Sequence, residues 1–158
     1  MKIRWLILIA AILIVVLAVL LCAQTPIAQT DRSPSPIADG IKVVVAGLRN
    51  DHGRVGCSLY NGPDGFPHLG FRKMWTPING SVAVCDFQQV AAGTYAVTVL
   101  HDENSNGKMD FNWIGIPTKG YGFSNNAKAT FFAPSFAAAS FTYSGVGSLA
   151  VSIAIVYR

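Results

Sequence analysis

Apolar and polar positions follow two regimes along this chain. From Trp5 to Ala23, nineteen consecutive positions carry no charge and are almost wholly apolar, with Lys2 and Arg4 in front of them. A run of that length predicts an apolar helix, because about 20 residues at helical rise cross a bilayer core. Residues 24–40 (QTPIAQTDRSPSPIADG) show no apolar period and contain three prolines, and they are read as a flexible linker. From Ile41 to the end the period becomes two, the side-chain repeat of a strand.

Residues 41–50 (IKVVVAGLRN) and 54–61 (RVGCSLYN) read as strands, and Asn50–Gly53 reads as the hairpin turn between them. The second of these places Val55, Cys57 and Leu59 on one face. Residues 80–90 bring Ala83, Cys85 and Phe87 together. In 91–102, Tyr95, Val97 and Val99 alternate with Ala96, Thr98 and Leu100. The last strand sets Leu149, Val151, Ile153, Ile155 and Tyr157 against Ala150, Ser152 and Ala154, with the segment SFTYSG as its expected hairpin partner. Short helical turns are expected near Pro67–Trp75 and Pro134–Ala139. The sum is an all-β, antiparallel β-sandwich of about seven strands over residues 41–158, preceded by the N-terminal apolar helix (residues 1–23) and the linker.

Charge narrows the partners. Lys2 and Arg4 are two of the 12 basic residues, so 10 remain after position 23 against 8 acidic ones. A net of +2 without a basic cluster argues against nucleic acid. A positive end before an apolar run orients an export signal, and the domain is expected on the far side of the membrane. Three processing outcomes are open: an uncleaved anchor through residues 5–23, a cleaved signal peptide, or lipidation at Cys22. They correspond to a single-pass inner-membrane protein with a periplasmic domain, or to a periplasmic or secreted one. Cys57 and Cys85 both fall on large-residue strand faces. In an exported domain such a pair predicts a disulfide, the alternative being two buried free thiols.

The chemistry concentrates in residues 101–126, HDENSNGKMDFNWIGIPTKGYGFSNN. Asp102, Asn104, Asn106, Gly107 and Asp110 follow D-x-N-x-N-G-x-x-D. In a calcium loop such positions supply side-chain oxygens at 1, 3, 5 and 9, a backbone carbonyl at 7 (here Lys108) and a glycine for the sharp turn at 6. Trp113 stands where a bidentate glutamate belongs, so a calcium ion held here would be bound weakly, in the range of about 10⁻⁴–10⁻³ M. The same residues equally suit a turn without metal, because Asp and Asn bond their own backbone. Trp113, Tyr121 and Phe123 are candidates for an aromatic binding platform for a sugar or peptide, or for plain cover over loop backbone. His101 reads as a structural histidine at a strand end, and His52 and His68 fall in turns. Metalloprotease, nucleophile-elbow, nucleotide-loop and CxxC motifs are absent from the sequence.

The stretch FQQVAAGTYAVTVLHDENSNGKMDFNWIGIPTKGYGFSNNA, Phe87 to Asn126 and beyond, resembles the signature of a bacterial exported family, the domain of unknown function numbered 2141. Similarity extends to RVGCSLYNGPDGFP and to the region around Phe132–Phe141. The resemblance implies an exported sandwich of transthyretin-like or carboxypeptidase-regulatory-like type, and no defined activity. Two positions depart from the family pattern: Lys119 where relatives usually carry Glu, and Phe111 in place of a small polar residue. The expected function is a non-enzymatic envelope protein acting in binding or assembly, without a catalytic site and with calcium as the one candidate cofactor. The alternatives are a small hydrolase using His52, His101 and the terminal Tyr157-Arg158, or a carbohydrate-binding module.

Overall fold

The computed structural model describes residues 39–130 and 132–158. The expected apolar helix, the membrane span 5–23, Cys22 and nearly all of the linker lie outside the described residues. Eight strands follow in order: β1 (Gly40–Ala46), β2 (Arg54–Tyr60), β3 (Arg72–Thr76), β4 (Val82–Gln88), β5 (Gly93–Asp102), β6 (Tyr121–Phe123), β7 (Phe141–Tyr143) and β8 (Ser148–Ala154). They form a three-stranded sheet ordered β4-β1-β8 and a five-stranded sheet ordered β3-β2-β5-β6, with β7 also on β5. All pairings are antiparallel except β1 with β8.

The two-residue period becomes burial directly. Ile41, Val43 and Val45 of β1 meet Ala83, Cys85 and Phe87 of β4, together with Ile153 and Ile155. Facing them from the other sheet are Val55, Cys57 and Leu59 of β2 and Tyr95, Val97 and Val99 of β5. Each fully buried aliphatic or aromatic side chain contributes roughly 1.5–3 kcal/mol, and this inter-sheet layer is the main source of stability. Cys57 and Cys85 form a disulfide that crosses it, joining β2 to β4 (Cα–Cα 6.4 Å).

Local pattern located most strands, but the structure differs from it in three places. β1 and β2 do not form a hairpin: they lie in different sheets, and Asn50–Gly53 carries the chain across. Both edges of β1 are already taken by β4 and β8, as suits a run of β-branched residues at the centre of a sheet. β7 pairs with β5 through Gly93↔Tyr143 and not with β8, which runs parallel to β1. The third difference is two additional strands. β3 stands where a helical turn was expected; it is an edge strand whose side chains are all half-buried or exposed, so no alternation marks it. β6 has three residues, one of them a glycine. The expected turn near Pro134 is present as the one-turn helix Phe136–Ala139, capped by Ser135, whose hydroxyl accepts from the Ala138 N–H at 3.2 Å.

The two outer faces differ. On the three-stranded sheet Lys42, Ala46, Ala150, Ser152 and Ala154 are exposed. The outer face of the five-stranded sheet is covered by a second apolar cluster: Tyr60, Ala96, Tyr121, Phe123 and Ala139, backed by Phe66, Met109 and Phe136.

Candidate functional site

β5 ends in Asp102, whose parity turns its carboxylate to the outer side of the five-stranded sheet, where it is fully buried. The chain then coils back on itself. Ser105 and Gly107 adopt positive φ (56° and 80°), and the Gly107 N–H donates to Asp102 Oδ2 at 2.8 Å. Asn104 Oδ1 accepts from the Asn106 N–H at 3.3 Å, and Asn106 Oδ1 from the Lys108 N–H at 3.1 Å, two successive Asx turns. Both asparagine amides donate to Asp110, Asn104 Nδ2 at 2.9 Å and Asn106 Nδ2 at 2.9 and 3.1 Å.

At the centre of this loop stands Lys119. Its Nζ donates to Asp102 Oδ1 (2.6 Å), Asn106 Oδ1 (2.6 Å) and the Lys108 carbonyl (2.8 Å), and lies 3.1 Å from Asp110 Oδ2. The side chain is 4% exposed. Arg54 completes the set: its Nε is 3.4 Å from Asp102 Oδ2, its Nη2 donates to the Ser105 carbonyl at 3.1 Å, and its guanidinium stacks 4.1 Å over Trp75. Gly53 permits this approach, because a Cβ there would collide with the Asp102 carbonyl oxygen.

Four of the five expected oxygen donors, Asp102, Asn106, the Lys108 carbonyl and Asp110, therefore converge, while the side-chain oxygen of Asn104 serves the local turn. The cation they surround is an ammonium. A calcium ion takes oxygens at about 2.3–2.6 Å, and at this centre it would overlap Nζ and meet its positive charge. The residues as arranged do not fit calcium. Among the described residues no group of three or more His, Cys, Asp or Glu side chains is placed to hold a metal.

The electrostatics follow the contacts. Burial pushes the Asp102 carboxyl upward, but the Lys119 and Gly107 hydrogen bonds outweigh it and hold the group below its ordinary value. Asp110 is lowered to about 2 by the Asn106 amide, Lys119 and Asn104. Beside the loop, Glu103 is lowered to about 2, chiefly by the Arg49 guanidinium, with bonds of 3.0 and 2.6 Å, and by Asn50 at 2.7 Å.

His101 is fully buried, with Nε2 3.0 Å from the His52 carbonyl and Nδ1 2.6 Å from the Tyr157 hydroxyl. A carbonyl only accepts, so Nε2 carries a proton, while Nδ1 is hydrogen-bonded to the Tyr157 hydroxyl. Both ring nitrogens are thus committed. Burial raises the Tyr157 hydroxyl above its ordinary value.

The three aromatic candidates are not brought together. Tyr121 and Phe123 are buried on β6, ring centroids 6.0 Å apart and edge to face. Trp113 is 94% exposed at the tip of a hairpin closed by the Phe111↔Pro117 bridge. Asn112 Oδ1 accepts from the Ile114 and Ile116 N–H groups and fixes that tip, which also exposes Phe111, Ile114 and Ile116. Between the hairpin, residues 129–130 and 132–133, and the outer face of the five-stranded sheet lies a cleft of about 560 Å³. Tyr60, Leu100, Met109, Tyr121 and Phe123 line it, with exposed Phe111 and Phe132 at its edge. Its basic lining residues, His68, Lys73, Lys108 and Arg158, are all exposed, and no lining side chain is acidic. Sequence reasoning marked Lys119 only as a departure from a family pattern, and it missed Arg54 altogether. Neither lies within the motif, and only the fold carries them to it.

Residues 43–149 match the model of a family described as "Uncharacterized protein conserved in bacteria (DUF2141)". No curated protein and no solved structure matches the chain.

Proposed function

The chain belongs to the DUF2141 family of uncharacterized proteins conserved in bacteria, and for this member we propose a non-enzymatic binding role at the cell envelope. Its ligand is an apolar group with an acidic end, taken into the cleft over the five-stranded sheet. The observation that carries this reading is the cleft itself, about 560 Å³, aromatic and aliphatic within and bordered by basic side chains, with no acidic side chain among its described lining residues. Concave apolar sites with a few polar groups are where small ligands and partner segments bind. Export is the companion proposal. It is supported by Lys2 and Arg4 before the apolar run 5–23 and by the Cys57–Cys85 bridge, a bond that persists in oxidising compartments.

The hydrolase reading draws less support. His101 is buried, with both nitrogens bonded, and neither it nor His52 lines the cleft, whereas Arg158 does. The carbohydrate reading needs one platform, and Trp113 stands apart from Tyr121 and Phe123.

The test uses the full chain and the anionic apolar probe anilinonaphthalene sulfonate, with dodecanoate as competitor. One saturable, dodecanoate-displaceable site is expected. Paired Phe111→Asp and Phe132→Asp substitutions, both at exposed positions, should weaken it at least about tenfold, since each loses apolar contact and adds repulsion. Probe binding that is absent, or unchanged in the double variant with the circular dichroism intact, would sink the reading.

A further inference from the structure

We infer that Lys119 is the resident cation of the 102–110 loop: a tethered ammonium occupies the place a divalent ion would take, and it makes the loop independent of metal. An ammonium has three donors and no lone pair. Here the three donors meet three acceptors within 2.8 Å, from Asp102, Asn106 and the Lys108 carbonyl, and Asp110 stands 3.1 Å away. Nothing remains on Nζ to coordinate a metal. Charge balances locally, two carboxylates (Asp102, Asp110) against Lys119 and Arg54.

Tethering has a mechanical consequence. Lys119 follows directly on the hairpin whose ladder includes the Thr118 N–H to Asp110 carbonyl bond at 2.9 Å. The ammonium therefore ties both legs of the hairpin to the end of β5. The exposed tip with Phe111, Trp113 and Ile114 keeps its position at any calcium concentration, because the cation that fixes it cannot dissociate. A bound ion would confer the same order only in proportion to its occupancy. The specificity of the loop for "no metal" thus resides in one side chain seventeen residues beyond Asp102.

The experiment compares the full wild-type chain with Lys119→Glu and Lys119→Gln by thermal melting in chelator and in about 1 mM calcium, the upper end of the range for weak extracellular loops. Wild type should melt identically in both. Lys119→Glu removes the cation and adds a third carboxylate, so it should melt lower in chelator and recover on the order of 5 °C with calcium, accompanied by a calcium heat in titration calorimetry. Lys119→Gln should show a smaller rise. A wild-type melting temperature that climbs with calcium overturns the inference, as does a folded Lys119→Glu blind to it. Should that variant refold in neither buffer, amine labelling of the native wild type decides. The exposed Lys42, Lys73, Lys108 and Lys128 should react while Lys119 is spared, and labelling of Lys119 at their rate would overturn the assignment.

Discussion

The layer between the two sheets and the Asp102–Lys119 pair are both buried, and they are organised by opposite physics. Between the sheets, Ile41, Val43, Leu59, Phe87 and their neighbours need only exclude water, and many geometries would do. Around Lys119, each polar atom needs a particular partner at a particular angle, since an unpaired buried donor or acceptor costs about 1–3 kcal/mol. Among the described residues no buried side-chain nitrogen or oxygen lacks a hydrogen-bond partner. The first region sets how stable the domain is, and the second sets the shape of one end of it. That end bears the exposed hairpin tip and one wall of the cleft.

The largest expected effect lies in the layer. Phe87→Ala should cost about 3–5 kcal/mol in urea unfolding, by lost burial plus a cavity. A loss below that of the next variant would reverse the ranking of the two regions. Lys119→Met keeps the aliphatic stem and removes the charge, leaving Asp102 buried without its main partner. A loss of about 3 kcal/mol is expected, and a neutral outcome would mean that the polar cluster does not hold the loop. Hydrogen–deuterium exchange should show faster exchange confined to residues 103–119, with β1 and β4 unchanged.

Acid separates the regions further. Glu103 and Asp110, held near 2 in the folded state against ordinary values of 4.5 and 3.8, contribute stability that is present above those ordinary values. It is lost as pH falls from about 4.5 toward about 2. Melting temperature should decline across that window in wild type and less steeply in Lys119→Met, where one cause of the Asp110 shift is gone; equal slopes would remove Lys119 from the account. The smallest effect belongs to the tip. Trp113→Ser should change stability by no more than about 0.5 kcal/mol, and a larger loss would show that the tip packs on the body.

Legibility in the sequence follows the same division. The strand pattern located β1, β2, β4, β5 and β8, and alternation sorted the faces of all but β1, because a strand with one wet and one dry face must repeat every two positions. It also marked Cys57 and Cys85 as a candidate pair and the Asp102–Asp110 stretch as an ordered, oxygen-rich loop. It did not say which strands pair. Local period carries no information about neighbours across a sheet, so the hairpins expected between β1 and β2 and between β7 and β8 gave way to crossings between sheets. β3 and β6, half-exposed or only three residues long, left too little pattern to detect.

From the sequence by itself came the sandwich, its buried faces and the turn chemistry of the loop, all consequences of contacts among residues close in the chain. Only the tertiary structure decided what sits at the centre of that loop. Arg54 arrives from β2 and Lys119 from beyond the hairpin, and their charges matter only once folding has brought them within 3.4 Å of Asp102. Hydrophobic burial is additive and non-directional, so it can be summed along a chain; an ion's coordination depends on distance and angle, which exist only in three dimensions.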